Sequence, residues 1–562
     1  MKKITAILLI GTMILVAVPT LASPVTIEGI KAGDTVTYTV NEFQVPFDIL
    51  ADEIDDLVFD LEGLQFDLSG STIAIKVMQT YPSTNYYLLS SYFILGKAIE
   101  IPLSDDPAND DLKAILGDSA SLPAGTGFGI STNLPGSDWL DDRGGIPFYL
   151  DPGSFDAVKS SFENEYMTAA VGTDFVVTAD GEKDGATITG TITWFGSGEA
   201  AGFLKNASVS VINGTDTSKI GIEYESIKNI PLPEEVSDGN TITFTVDRAE
   251  VNYDVTGDLA SWEYKTLIDV VAKNYLTDFV GKNVLQFDFT DREGCFYQAD
   301  IHSLNLSSGN LALLSDAKWF DGFAGMLTNY PSSPYNGESS KRPSKLLAIF
   351  PLAPAITPDY KMWGVSVKTI DTMLQIASNS IPDNELDILT ETGITTSNLL
   401  FNVENRINED LIYFYSTIRA GIDYINPNKT DETIGGTIKI DGWVAYTKTG
   451  LLAGASVLLS ADILVTNFPF ADIFTAFLPS TPGGIPEIPS DTLNGMLSLD
   501  IEVKIRNTDI DSLPDVSEAK PVDLISGDID GFTSPGFPVV ETLVVLVVVG
   551  LVSGLFFRKK RY

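Results

Sequence analysis

Carboxylates are the only abundant side chains in this sequence that could do acid–base chemistry. Asp and Glu make up 76 of the 562 residues, whereas His occurs once. Two carboxylates at a suitable separation are enough for glycoside hydrolysis. A repeated strand pattern draws attention to Asp67 and Asp288, which alternation places on the faces opposite Phe66 and Phe287. We therefore expect two solvent-facing carboxylates in equivalent strands, and we predict no catalytic residue.

The residues of the familiar enzyme classes are missing from the sequence. His302 alone cannot form a Ser-His-Asp triad or a multi-histidine metal site, and alternation within 299–303 predicts that it is exposed. The sequence has no Gly-x-Ser-x-Gly, no phosphate-binding glycine loop and no His-Glu-x-x-His. We expect a protein that is not an enzyme and has no cofactor.

Calcium is the one metal that the acidic loops would suit. Segments 105–111 and 528–531 each carry several Asp residues, whose oxygens are the ligands that calcium prefers. Neither segment has the spacing of an EF-hand loop. We therefore interpret both as hydrated charged loops rather than as calcium sites.

The two ends of the chain predict export and anchoring. Residues 1–22 have the basic, apolar and small-residue regions of a signal peptide, and cleavage after Ala22 is favoured over retention as an anchor. At the other end, 538–557 is apolar and long enough to span a hydrocarbon core of about 30 Å. The basic end at 558–562 predicts a cytoplasmic terminus. These features predict a membrane-anchored cell-surface protein with its ectodomain outside.

The motif that precedes this apolar segment is Pro535, Gly536 and Phe537. Together with the apolar run and the basic end, it resembles the archaeal PGF-CTERM sorting signal. That resemblance covers only the tail. It implies an archaeal surface protein whose tail an archaeosortase removes while the new C-terminus is transferred to a lipid. A sorting enzyme and envelope components would then be partners, although a retained transmembrane helix remains the alternative.

Composition limits the class of partner. The formal net charge is −41, so the chain should repel nucleic acid. The single cysteine, Cys295, excludes an intrachain disulfide, and its apolar surroundings predict a buried structural thiol. In an exported chain, Asn-x-Ser/Thr motifs are candidate glycan acceptors. They occur at Asn206, Asn213, Asn305 and Asn428.

The ectodomain contains two diverged copies of one unit. Residues 33–40 and 239–246 have the same pattern, a glycine followed by a strand in which every second residue is apolar. Segment 64–68 resembles 285–289 in the same way. Trp194, Gly198 and Gly202 correspond to Tyr446, Gly450 and Gly454 in the later part of each copy. This pattern predicts a duplication followed by growth of the loops.

The expected fold class is α+β, with two tandem repeats, each an antiparallel sheet with one or two packed helices, and a C-terminal transmembrane helix. Apolar spacing predicts helices at 154–166, 259–280 and 365–378. The predicted divisions are a signal peptide at 1–22, repeat units at 23–230 and 231–507, an acidic stalk with the sorting motif at 508–537, a transmembrane helix at 538–557 and a basic end at 558–562.

The expected function follows from these features. The sequence predicts an anchored extracellular protein with a non-catalytic binding or structural role in the envelope. A carrier or sensor of an apolar ligand is the alternative, because sheets covered by helices resemble the lipoprotein-carrier fold in element order. A carboxylate-based glycan hydrolase is the third candidate.

Overall fold

The computed structural model describes residues 31–521 with several gaps. The gaps are 47–64, 82–85, 103–118, 133–147, 184, 215, 262–264, 266–278, 306–307, 323–325, 329–352, 359–393, 409–410, 427–428, 470–491, 514–515 and 517–518. Contacts divide the chain into two units. The first comprises Met1–Leu232 with Glu293–Phe296, and the second comprises Pro233–Arg292 with Tyr297–Tyr562.

Antiparallel strands make up most of the first unit. The elements in chain order are β1 (Asp34–Pro46), β2 (Gln65–Asp67), β3 (Thr72–Tyr81), β4 (Tyr86–Ile94), β5 (Ile99–Pro102), β6 (Ser119–Leu122), β7 (Gly127–Thr132), α1 (Phe155–Phe162), β8 (Met167–Val171), β9 (Phe175–Lys183), β10 (Ala186–Trp194), β11 (Leu204–Asn213) and β12 (Asp216–Asn229). The main sheet has the order β7-β4-β3-β1-β12-β11-β10-β9-β8, and β2 also pairs with β1. Strands β5 and β6 form a separate pair.

The second unit contains a longer sheet. Its strands are β13 (Thr241–Val255), β14 (Asn283–Glu293), β15 (Phe296–Asn305), β16 (Asn310–Asp321), β17 (Met326–Thr328), β18 (Ile394–Ile407), β19 (Leu411–Asn426), β20 (Lys429–Thr447), β21 (Leu452–Pro469), β22 (Thr492–Asn507) and β23 (Lys520–Pro521). Their order is β17-β16-β15-β14-β13-β22-β21-β20-β19-β18-β23. In both sheets, therefore, the first strand of the unit pairs with its last long strand, and the remaining strands extend outward on either side.

The prediction of an α+β fold with a C-terminal transmembrane helix is wrong. Strands dominate both units, and α1 is the one α-helix that lies wholly within the described residues. Among these residues no helix combines the length and apolar character needed to cross a membrane. Segments 365–378 and 538–557, and most of 259–280, lie outside the described residues; within 259–280 Lys265 is helical. The prediction failed because a few segments with helical spacing of apolar residues do not determine the fold of a whole unit. In both units, most backbone N–H and C=O groups form hydrogen bonds between strands.

One predicted helix is confirmed in part. The prediction placed a helix at 154–166, and α1 occupies Phe155–Phe162. The helix ends there because Glu163 adopts an extended backbone conformation. Its buried residues Phe155, Val158 and Phe162 recur at helical spacing and face the sheet.

Aromatic packing fills the core of the first unit. Phe175 stacks on Phe155 with ring centroids 5.0 Å apart, and Phe162 meets both Phe175 and Trp194 within 6 Å. The predicted inward face of β1 is also confirmed, since Val36, Tyr38 and Val40 are fully buried. Burial of this kind stabilises the fold by roughly 1.5–3 kcal/mol per large side chain.

The core of the second unit is built around Tyr297. Its ring stacks on Phe320 with centroids 5.1 Å apart. Its hydroxyl donates to the carbonyl oxygen of Ala355 at 2.6 Å and accepts the backbone N–H of the same residue at 3.1 Å. Segment 353–357 is thereby held on the core by a fully buried tyrosine.

Hydrogen bonds at equivalent turns reveal how the two units correspond. Gly70 donates its N–H to Val40 and Gly281 donates to Val246, and both glycines have φ near +80°. Each first strand also has a bulge directly after that valine. The turn at Gly70 thus corresponds to the turn at Gly281, whereas the sequence match had aligned 64–68 with 285–289.

Candidate functional site: a polar face on strands β18 to β20

The second sheet has one polar and one apolar face over strands β13 and β18–β22. Side chains alternate between the faces along each strand. On the polar face, the register of β18, β19 and β20 forms four cross-strand rows. These rows are Arg406–Tyr413–Ala445, Glu404–Tyr415–Trp443, Asn402–Thr417–Asp441 and Leu400–Arg419–Lys439.

A buried cluster forms one end of this face. Tyr413, Trp443 and Ala445 pack with Leu513 and Ala519, which belong to the chain after β22. Beyond this cluster the face is open, and a groove of about 450 Å³ lies over Leu400, Asn402, Glu404, Arg406, Tyr415, Thr417 and Lys439. The groove therefore has a rigid floor, because the side chains that line it project from paired strands.

An ion pair and a ring contact fix Arg406 at one end of the groove. Its Nε donates to Glu404 at 2.7 Å, and its Nη2 contacts the same carboxylate. The guanidinium carbon lies 4.1 Å from the ring centroid of Tyr415. Planar guanidinium groups favour this stacking geometry. Arg406 is thus held in one orientation before any ligand arrives.

Asp441 is the central acceptor of the face. Its Oδ1 accepts hydrogen bonds from the Tyr415 hydroxyl at 2.9 Å and from Thr417 Oγ1 at 2.7 Å. Its Oδ2 lies 2.6 Å from Lys439 Nζ. Three donors therefore occupy this carboxylate, which makes it a positioning group for its neighbours.

The charge states of the groove follow from these contacts. Burial raises the pKa of Tyr415, and the Asp441 charge raises it further. The hydrogen bond to Asp441 raises the pKa of Lys439 above its usual range. Both groups consequently keep their protons at neutral pH and remain hydrogen-bond donors.

Some donors on this face have no partner in the described part of the chain. Arg419 makes no hydrogen bond or ion pair there, and neither does the amide of Asn402 or Nη1 of Arg406. Arg419 lies directly opposite Lys439 and lowers the pKa of that amine, the reverse of the stronger Asp441 effect. The polar face therefore has several unused donors, while Oε1 of Glu404 and both carboxylate oxygens of Asp441 already accept hydrogen bonds or ion pairs.

The predicted carboxylates each have donors of their own. Burial would raise the pKa of Asp67, but hydrogen bonds from Lys97 and Ser69 lower it overall. Asp288 accepts hydrogen bonds from Thr241 and Gln286 at 2.8 Å each. Its Oδ2 lies 3.3 Å from Nδ1 of His302, which is half-buried rather than exposed as expected. These contacts show two structural carboxylates, one in each unit.

The candidate glycan acceptors fall at different places in the sheets. Asn206 is exposed in β11, Asn213 ends that strand, and Asn305 is exposed at the end of β15. Asn428 lies outside the described residues. So do Pro535, Gly536 and Phe537.

The acidic segments 105–111 and 528–531 also lie outside the described residues. Within the part that is described, no group of three or more His, Cys, Asp or Glu side chains could hold a metal ion. The predicted buried thiol is confirmed, since Cys295 is 1% exposed and lies 3.7 Å from the carbonyl oxygen of Val77.

Sequence reasoning missed the polar face. A partial signal was present, because every second residue is polar or tyrosine along Asn402–Arg406 and Tyr415–Arg419, although Asn405 and Ser416 at intervening positions are polar as well. Alternation alone could not show that these strands lie side by side, since the pairing of β18 with β19 and of β19 with β20 sets the rows.

Comparisons with known proteins do not identify a family. No protein-family model and no curated protein matches the chain. Among solved structures, one match is a porin refined at 1.8 Å resolution. It has 8% sequence identity and covers 84% of this chain and 99% of the porin chain. The TM-score of 0.07 is too low to support any argument about fold or function.

Proposed function

We propose that this chain is an exported cell-surface protein with a non-catalytic binding role in the envelope, and that the polar face of β18–β20 is its binding surface. The observation that supports this role most strongly is the open groove over a rigid, hydrogen-bonded floor. Binding sites commonly present a few polar groups held in fixed positions. The signal peptide at 1–22 and the motif at Pro535–Phe537 support export and anchoring.

The groove chemistry favours binding over catalysis. Glu404 is paired with Arg406, and Asp441 has three donors. A general acid or base must lie within hydrogen-bond reach of the proton that it transfers. In this groove, donors of the face itself already engage both carboxylates. We therefore assign both carboxylates to positioning.

The test of this function is made on the full chain. Intact mass of protein extracted from native membranes should show loss of the tail after the Pro535–Phe537 motif and an added lipid mass. Protease treatment of whole cells should remove the protein, and the purified chain should sediment with isolated envelopes. The proposal would be refuted if the protein resists protease on intact cells. It would also be refuted if the purified protein stays in the supernatant when the envelopes are sedimented.

A specific observation also favours the second candidate, a carrier of an apolar ligand. On the opposite face of the sheet, three rows across β19–β22 and β13 are apolar apart from the hydroxyl of Tyr253: Ile418–Ile440–Leu459–Ile501–Val251, Ala420–Ile438–Ala461–Leu499–Tyr253 and Ile422–Gly436–Ile463–Leu497–Val255. Most of these residues are only half-buried. Native mass spectrometry should detect a co-purifying lipid if the protein is a carrier, and a ligand-free mass would exclude it.

A further inference from the structure

The polar face presents more unused donors than unused acceptors. Arg419, Nη1 of Arg406 and the Asn402 amide group have no partner in the described part of the chain, and Lys439 Nζ forms an ion pair with Asp441. Oε1 of Glu404 and both oxygens of Asp441 are already engaged by donors on the face. A ligand that satisfies this face must therefore supply acceptors, and negatively charged acceptors bind cationic donors most strongly.

The local charge is opposite in sign to that of the chain. Arg406, Arg419 and Lys439 outnumber Glu404 and Asp441 on the four rows, whereas the chain carries −41 overall. Arginine is scarce, with 9 residues in the sequence, and two of them lie on this face. At physiological ionic strength, charges more than about 8 Å away are largely screened. The local cations therefore decide which ligand the groove accepts.

The arrangement of these cations sets the shape of the ligand. Arg406 lies at one end of the rows, and Arg419 with Lys439 lies at the other. Tyr413, the row partner of Arg406, and Arg419 are six positions apart on β19, which corresponds to roughly 20 Å along the strand. Hydroxyl, amide and carboxylate groups lie between them. An extended polymer with spaced anionic groups and intervening hydroxyls matches this pattern.

We propose that the β18–β20 face binds an acidic glycan, a polymer whose carboxylate or sulfate groups contact Arg406, Arg419 and Lys439. Asn402 and Thr417 lie where they can bond to the intervening sugar hydroxyls. An acidic peptide fits less well, because the floor of the groove is side chains on the face of a sheet. An extended peptide gains most from the backbone groups of a sheet edge. This inference rests on the proposed binding function and names the ligand class of the same site.

The experiment measures binding of defined probes to the full chain at 0.15 M salt by isothermal titration calorimetry. The probes are an oligogalacturonate, a neutral oligosaccharide of equal length and an oligoglutamate of equal charge. We expect the oligogalacturonate to bind at least about 10-fold more tightly than the other two. A sulfated oligosaccharide tests whether sulfate can replace carboxylate.

Two variants locate the binding. Arg419→Ala should weaken oligogalacturonate binding about 5- to 20-fold, because it removes an exposed cation that lies on the same face, directly opposite Lys439. Lys318→Ala removes the same charge from an exposed position on β16 and should leave affinity within 2-fold. Both side chains are exposed, so neither change should disturb folding.

The outcomes separate this inference from the proposed function. If the oligoglutamate binds as tightly as the oligogalacturonate or more tightly, the glycan inference is wrong and the ligand class is an acidic peptide. An affinity that Arg419→Ala leaves unchanged would place the glycan elsewhere. If no acidic probe binds while the chain still sediments with envelopes, the glycan inference fails and the binding function stands. If envelope sedimentation also fails, both fail.

Discussion

Gly450 and Ile356 approach so closely that only glycine fits. The N–H of Ile356 donates to the carbonyl oxygen of Gly450 at 2.8 Å, and a Cβ at position 450 would lie 2.0 Å from the carbonyl oxygen of Ile356. The first unit repeats this contact, since Leu150 donates to Gly202 at 2.7 Å and both glycines have φ near +90°. The β10–β11 and β20–β21 turns are thus held by equivalent chain segments.

Replacement of Gly450 should destabilise the fold by more than the strain of a positive φ alone would. Gly450→Ala introduces both a residue with positive φ and a backbone clash. Gly309→Ala is the matched control, because its φ is +71° but no atom lies within 4 Å of a built Cβ. We expect Gly450→Ala to cost about 1–3 kcal/mol more than the control in urea unfolding. Equal losses would show that the segment at 356 moves aside.

The packing of α1 gives a second prediction. Phe162 is 5% exposed and contacts the rings of Phe175 and Trp194. Phe162→Ala should lower the free energy of unfolding by about 3–5 kcal/mol, because it leaves a cavity between the helix and the sheet. Ser160→Ala changes an exposed position on the same helix and should have an effect within about 0.5 kcal/mol. A comparable loss in both variants would contradict this packing.

The pKa of Asp151 predicts a pH dependence. Burial raises this pKa, although a hydrogen bond from the Gly153 N–H opposes the shift. The folded state therefore binds a proton more readily than the unfolded state, and stability falls as the pH rises from about 4 through the raised pKa. Asp151→Asn keeps an acceptor for Gly153 and should remove this loss, which unfolding curves at several pH values would measure.

Asp67 provides a comparison of opposite sign. Hydrogen bonds from Lys97 and Ser69 lower the pKa of Asp67 in the folded state. Asp67 therefore stabilises the fold at pH values above its pKa in the unfolded chain, and this stabilisation is lost as the pH falls through the lowered pKa. Asp67→Asn should therefore lose stability at neutral pH relative to the parent chain, by an amount that the partial exposure of this pair keeps small. Parallel pH profiles for the two variants would contradict the assignment.

The burial of Cys295 predicts slow thiol labelling. The side chain is 1% exposed, and Cys295 is the only cysteine in the chain. A thiol reagent should label the native protein only as fast as local or global unfolding exposes Cys295. It should label the urea-unfolded protein at once, at one thiol per chain. Rapid labelling in the native state would show that this thiol is accessible.

The repeat illustrates how far sequence comparison reaches. Sequence comparison aligns the first strands of the units correctly, because Gly33 and Gly239 both have positive φ and each precedes the first strand of its unit. It then paired Gly202 with Gly454. The hydrogen bonds pair Gly202 with Gly450, since the turn that follows β10 is longer than the turn that follows β20. Loop length shifts an alignment, whereas the contact geometry stays the same.

The sequence by itself determined the alternation of individual strands, the helix at α1 and the burial of Cys295, because these depend on local periodicity and composition. The tertiary structure decided the fold class and the polar face. Arg406 stacks on Tyr415, and Arg419 lies opposite Lys439, only because β18, β19 and β20 pair in one register. A shift of one residue would move every one of these side chains to the other face of the sheet. Contacts between residues that are distant in the chain fix these registers, so local sequence patterns do not predict them.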